Sequence, residues 1–290
     1  MPLYQVLIDY PGLLLALTAL LGALVGSFLN VVIHRLPVMM ERQWRDHCAE
    51  LLDMPDLAPP DEPFNLVRPR SRCPSCGHLI AAWQNIPVVS YLLLRGRCAA
   101  CGSHISSRYP IVELLTAALS VAVVWRLGPN VQALCALGLT WALIALTFID
   151  LEHQLLPDGI TQPFLWAGIA LSLPGVFVDS RTSIIGALAG YLALWTFYWV
   201  FRLLTGKQGM GYGDFKLLAL LGAWLGWQSL PLVILISSVS GALAGAVLIL
   251  SGQDRTVPIP YGPHLAMGGW IALLWGGDIT AWYLSTWMGA

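Results

Sequence analysis

Eight long apolar runs constrain what this chain can fold into. They lie at about 12–33, 110–127, 131–149, 160–178, 183–204, 214–227, 229–251 and 263–288. Several are near the roughly 20 residues an α-helix needs to cross a hydrocarbon core. A backbone in lipid must satisfy its own N–H and C=O groups, so such runs fold as helices. Only 11% of residues are charged, against roughly 25% in a soluble domain. The expected fold is an all-α polytopic membrane protein of about eight transmembrane helices. The run at 214–227 is short and the last contains Asp278, so these two fit the pattern least well. Helical periodicity adds little, because helices surrounded by lipid and protein are apolar all round.

The pattern breaks at 34–109, which is polar and carries Asp56, Pro59, Pro60, Asp61, Glu62 and Pro63. Three parts are expected: a first transmembrane helix at 1–33, a water-facing domain at 34–109, and a seven-helix membrane domain at 110–290. The first ten residues contain Asp9 and no Lys or Arg. A cleavable signal would begin with positive charge, so the first run reads as a retained span with its N-terminus outside. With eight spans, all the Lys and Arg except Arg126 and Arg181 then fall on the inner side, as the positive-inside rule requires. Both chain ends come out on the far side. The net charge of −1 gives no reason to expect a nucleic-acid partner; the expected surroundings are the lipid bilayer.

Six cysteines in a long membrane chain are not a secreted disulfide framework, so spacing decides their meaning. Cys73-Pro-Ser-Cys76 and Cys98-Ala-Ala-Cys101 form two CxxC units, each followed by a glycine and then a histidine. Paired CxxC units at this separation suit a tetrahedral Zn²⁺ site. Four thiolates close the coordination shell, so Cys73, Cys76, Cys98 and Cys101 are expected to hold a structural zinc, making 34–109 a small zinc-binding domain between helices 1 and 2. His78 or His104 in place of one Cys, and redox dithiols, are the alternatives. A ~75-residue loop with few large apolar residues gains much from such a staple. Cys48 and Cys135 lie outside the pattern; a lone Cys in a span is usually a small apolar residue.

Two segments carry acid chemistry. One is Asp150-Leu-Glu152-His153-Gln-Leu-Leu-Pro157-Asp158-Gly159, and the other is Gly209-Met-Gly211-Tyr-Gly213-Asp214-Phe-Lys216. A carboxylate at a span end is costly and marks a functional site by default. The topology puts Asp150 and Asp214 at the same depth on the inner side. A close pair of carboxylates shares a proton, supplying one ionised group to activate water and one protonated group to donate to an amide carbonyl. A proton or cation relay of the transporter kind uses the same two acids, although transporter sites lie nearer the midplane. Asp214 also suits a helix cap, with its glycines forming a turn or a flexible mount. Pro157-Asp158-Gly159 reads as a turn with Asp158 capping the fourth span. Glu152 and His153 read as solvated loop residues. Gly22-x-x-x-Gly26, Gly186-x-x-x-Gly190 and Gly241-x-x-x-Gly245 read as close helix contacts.

Taken in order, these motifs resemble those of the bacterial type IV prepilin peptidases, the PilD-like leader peptidase/N-methyltransferases among the GxGD membrane aspartyl proteases. The resemblance runs along essentially the whole chain. It rests on Gly26-Ser-Phe-Leu-Asn30-Val-Val-Ile-His34-Arg35-Leu-Pro37, both CxxC units, Gln84-Asn85-Ile-Pro87, Ser107-Arg108-Tyr109-Pro110-Ile-Val-Glu113, Asp150 to Asp158, Gly211-Tyr-Gly213-Asp214-Phe-Lys216 and Pro260-Tyr-Gly262-Pro263. It implies that Asp150 and Asp214 are the catalytic aspartates. It implies cleavage of the basic leader of prepilins and pseudopilins at the cytoplasmic face of the bacterial inner membrane, in pilus assembly or type II secretion. It also implies methylation of the new N-terminal residue, usually Phe, with S-adenosylmethionine, and Gly96 matches a glycine associated with that transfer. Gln84 stands where a Glu is expected. Nothing in 34–109 carries a Rossmann nucleotide fingerprint.

Overall fold

The computed structural model describes residues 9–54, 62–207, 209–252 and 259–287. Asp56, Pro59, Pro60, Asp61 and Arg255 lie outside these residues. Among the described residues the chain is helical, with two isolated β-bridges and no strand. The helices are α1 (Pro11–Leu52), α2 (Val89–Leu93), α3 (Arg108–Leu127), α4 (Val131–His153), α5 (Asp158–Ser172), α6 (Ser180–Thr205), α7 (Tyr212–Leu225), α8 (Leu230–Leu250) and α9 (Gly262–Trp287). All but the short α2 fall on the eight apolar runs. Five segments, namely α1, α3, α4, α6 and Trp227–Leu250, are long and apolar enough to cross a membrane.

The first helix does not stop where polarity begins. It runs for 42 residues to Leu52, so the start of the expected water-facing loop is helical. The added part is rich in Arg, Leu, Met and Glu, which favour helix, and Glu41 and Arg45 pair one turn apart. Asp53, in the left-handed conformation, ends it.

The chain divides into two compact units, 1–129 and 130–290. In this division α3 stands with α1. Glycines are the cause. A Cβ on Gly22 would lie 2.8 Å from the Ala117 Cα, and one on Gly26 would lie 2.7 Å from the Glu113 Cα. The helix backbones meet here as the Gly-xxx-Gly spacing suggests. Buried Arg35 donates to the Asn65 carbonyl at 2.9 Å and the Pro69 carbonyl at 2.7 Å, tying the chain after residue 62 to α1.

The second unit is built around α7. Ten of its 14 residues are buried, including Phe215, Leu217, Leu218, Leu220, Leu221 and Trp224. At 1.5 Å per residue the helix is about 21 Å long, shorter than the roughly 30 Å hydrocarbon core. Burial explains how so short an apolar run is stable: protein encloses most of it. A Cβ on Gly190 would lie 2.5 Å from the Leu218 carbonyl oxygen, and one on Gly186 would run into the Gly222 carbonyl. The Ser183 hydroxyl donates to the Ala223 carbonyl at 2.7 Å, and the Trp224 indole to the Phe164 carbonyl at 2.7 Å, fastening α6 and α5 to α7. The third glycine pair behaves differently. A Cβ on Gly241 would lie 3.6 Å from the His264 ring and one on Gly245 would lie 3.3 Å from Ile259, so side chains rather than a second backbone lie against it.

Replacing Gly186 by Val should therefore force α6 off α7 and cost about 1–3 kcal/mol. Gly241→Ala meets only an ordinary contact and should shift stability by less than about 0.5 kcal/mol. Thermal unfolding of the purified variants in detergent compares the two, and equal losses would contradict this packing.

Candidate functional site

Two short turns present the cysteines. In the first, the Cys73 N–H donates to the His78 carbonyl and the Gly77 N–H to the Cys73 carbonyl, both at 2.9 Å. In the second, the Cys98 N–H donates to the Ser103 carbonyl at 2.8 Å and the Gly102 N–H to the Cys98 carbonyl at 2.9 Å. The bridges Arg72 to Leu79 and Arg97 to His104 close the two loops in the same way. Gly77 and Gly102 have φ of +70° and +72°, a turn geometry in which glycine alone is unstrained.

All four sulfurs of Cys73, Cys76, Cys98 and Cys101 lie within 4.8 Å of one another. Neither His78 nor His104 belongs to this cluster, and Cys48 and Cys135 stand apart from it. So many thiolates cannot coexist without compensation. Hydrogen bonds from the Cys76 backbone, the Ser103 hydroxyl and the Ser75 backbone bring the Cys73 thiol down to about 6. Cys76 is pushed up to about 11: the His78 backbone favours its thiolate, but burial and the Cys101, Cys73 and Cys98 side chains outweigh it. A metal cation removes this conflict, so the residues fit a Cys₄ metal site.

Gly96 lies just before the second turn. It has φ +67°, its N–H donates to the Tyr91 carbonyl at 2.9 Å, and its carbonyl accepts from Ile105 at 2.8 Å. A Cβ there would press on the Tyr91 hydroxyl at 3.0 Å.

The acids come together in the second unit. Asp150 lies in the last turn of α4 and Asp214 in the first turn of α7. They are only 6% and 7% exposed, and the segments that carry them meet around Leu156. The Gly262 N–H, at the start of α9, donates to Asp150 Oδ2 at 3.0 Å. One residue earlier, the Tyr261 hydroxyl shares a 2.8 Å hydrogen bond with Ser237 on α8. Three elements thus fix one carboxylate. Leu156, just beyond α4, is wedged into the same corner. A Cβ on Gly213 would lie 2.9 Å from its Cβ, and one on Gly262 would lie 3.2 Å from its Cδ2.

Several sequence expectations change here. The N-cap of α7 is Gly211, and Asp214 sits three residues later inside the first turn. Gly211 has φ −82° and ψ 151°, extended backbone that any residue adopts. Gly213 is needed for lack of a side chain against Leu156, not for flexibility. Asp158 does not cap α5: Pro157 does, and the Asp158 carboxylate instead receives the Lys216 ammonium at 2.7 and 2.8 Å. This exposed pair links α5 to α7 and is worth about 0–1 kcal/mol. Glu152 and His153 are exposed but helical, in the last turn of α4. The roles of Gly262, Tyr261 and Leu156 were not legible beforehand, although Pro260-Tyr-Gly262-Pro263 stood out as a motif.

Two family models match the chain. The Bacterial Peptidase A24 N-terminal domain matches residues 20–127, and the Type IV leader peptidase family matches residues 137–246. The chain belongs to the type IV leader peptidase family. It is 56% identical over 279 residues to an Aeromonas hydrophila protein named prepilin leader peptidase/N-methyltransferase, covering 96% of each chain. It is 56% identical over 265 residues to a Stutzerimonas stutzeri protein of that name, covering 91% of each. It is 53% identical over 285 residues to a Pseudomonas aeruginosa protein of that name, covering 98% of each. No solved structure matches. The family division after residue 127 agrees with the structural division after Pro129.

A methyl group on Gly262 would stand 2.5 Å from Asp150 Oδ2 and displace that carboxylate. Misplacement by about 1 Å can cost on the order of 10²-fold in rate. Gly262→Ala is expected to lower leader cleavage by about that factor while the protein stays folded. Cleavage of a purified substrate, with thermal unfolding run in parallel, checks it.

Proposed function

We propose that this protein is a membrane aspartic endopeptidase and N-methyltransferase acting on prepilins and pseudopilins. The observation that carries the peptidase reading is the convergence of Asp150 and Asp214, both buried, with Asp150 held by the Gly262 amide. One carboxylate, ionised, takes a proton from water. The other, protonated, donates to the carbonyl oxygen of the scissile amide. The attacking water and the departing amine then exchange protons with the same two groups. Two acids at helix ends, rather than within a span, are reachable from water, and a substrate helix entering from the bilayer unwinds most readily there. The location that fits is the bacterial inner membrane, with the dyad facing the cytoplasm. The excess of Lys and Arg on that side supports the orientation.

The full-length likeness to proteins bearing both activities in their names supports the second activity. S-adenosylmethionine supplies the methyl group for such transfers, and the new N-terminal amine, usually of Phe, receives it. The metal that best fits the cysteines is Zn²⁺. Sulfurs at the corners of a tetrahedron with 2.3 Å bonds lie about 3.8 Å apart, and the Cys73 and Cys101 sulfurs are 3.8 Å apart. With no open coordination position, the metal staples the segment from residue 62 to residue 107 and takes no part in chemistry.

Asp150→Asn and Asp214→Asn should each lower leader cleavage by roughly 10²–10⁴-fold, the range for loss of a general acid or base, with unchanged thermal unfolding. Normal cleavage by either variant would overturn the dyad. Cys73→Ser should lower bound zinc and make the 62–107 segment sensitive to protease, because metal binding here is folding energy. Elemental analysis and limited proteolysis measure both effects.

A further inference from the structure

Beside the two acids stands one side chain that the reaction described above does not use. Leu156 lies in the link 154–157 between α4 and α5. Its Cβ and Cδ1 face Gly213, where a Cβ would lie 2.9 and 3.2 Å from them. Its Cδ2 faces Gly262, where a Cβ would lie 3.2 Å from it and 2.5 Å from Asp150 Oδ2. Gly213 directly precedes Asp214. One leucine therefore fills the corner between the two acid-bearing turns and is a neighbour of the Asp150 carboxylate. Leu156 is half-buried, whereas both acids are buried.

The link holds this side chain in place. Gln154, with φ +53°, closes α4 by donating its N–H to the Asp150 carbonyl at 2.9 Å. Pro157 has its φ fixed by its ring, and its carbonyl accepts from the Ile160 and Thr161 N–H groups at 3.0 Å each. The next residue, Asp158, is tied to Lys216. Fixed on both sides, Leu156 is a wall rather than a lid. Hydrolysis needs the scissile carbonyl between the two carboxylates, with reacting atoms about 3–3.5 Å apart. A residue flanking that bond then brings its side chain against whatever stands beside the carboxylates. In the reading above the new N-terminal residue is usually Phe, whose ring needs open space. The branched Leu156 side chain leaves little, so it bears on the other flank, the last residue of the leader.

We propose that Leu156 is a specificity-determining residue, which limits the size of the side chain accepted at the last residue of the leader. The assignment rests on the dyad reading above. It works by bulk and not by charge. A hydrophobic wall of this kind separates substrates that differ by one methylene by about 10–200-fold. Trimming the wall changes which substrates are cut rather than whether the dyad works.

To test this, full-length protein purified in detergent is given prepilins whose last leader residue is Gly, Ala or Val, and kcat/KM is measured for each. In the unaltered protein the value is expected to fall as this residue grows. Leu156→Ala is expected to raise the Ala-to-Gly and Val-to-Gly ratios at least about tenfold, and Leu156→Val to raise them less. Leu156→Phe is expected to lower the Ala-to-Gly ratio. Each ratio compares two substrates in one preparation, so it does not depend on how much of a variant is folded. A merely structural leucine would reduce all values alike and leave the ratios where they were. Unchanged ratios in all three variants, or a changed preference only for the residue after the bond, would overturn the proposal. Asp150→Asn separates the two readings. If it is inactive and the ratios do not move, the Leu156 assignment alone is wrong. If it cleaves normally, the dyad reading falls and this assignment with it.

Discussion

The contact between Gly186 and Gly222 is the constraint on which the second unit depends. With no side chain on either residue, α6 and α7 approach until backbone meets backbone. Association in a bilayer lacks the hydrophobic drive available in water, so this packing and the hydrogen bonds beside it carry the stability. Ser183 and Trp224 supply two such bonds across the same region. The result is a 14-residue helix enclosed by its neighbours, with Asp214 in its first turn. A charge-bearing residue there is tolerated only because protein, not lipid, surrounds it.

Placement of the two acids follows from small residues in the same way. Gly213 and Gly262 both close on Leu156, and this gathers the starts of α7 and α9 around the end of α4. The Gly262 amide then meets Asp150. The absent side chains at Gly213 and Gly262 allow this approach, and the Asp150 carboxylate is positioned by a backbone amide rather than by a mobile group. The first unit repeats the device, since Gly26 brings α1 onto α3 beside Glu113. The family model that covers residues 20–127 is distinct from the one that covers 137–246, and each unit buries carboxylates of its own, Glu113 in the first and Asp150 and Asp214 in the second.

Much of this was legible beforehand. Eight apolar runs became eight helices, because lipid leaves a backbone no other choice. Paired CxxC units became one cluster, because two knuckles at that spacing have one compact way to meet. The limits were local. The extension of α1 to Leu52 is not visible in hydropathy, because a charged, helix-favouring stretch is as polar as a loop. Pro157-Asp158-Gly159 reads as a turn and cap from its residue types, yet Lys216 claims the Asp158 carboxylate. The third glycine pair matched the first two in spacing but not in partner, since spacing cannot say what lies opposite.

The sequence by itself determined the helical membrane architecture, the four cysteines that cluster and the two acids worth pairing, because each depends on residue type and near-neighbour spacing. Only the tertiary structure decided that α7 is enclosed, that Gly262 holds Asp150, and that Gly26 seats α1 on α3 at Glu113. Those facts arise from contacts between residues 36 to 112 positions apart, where the identity of one residue says nothing about what folds against it.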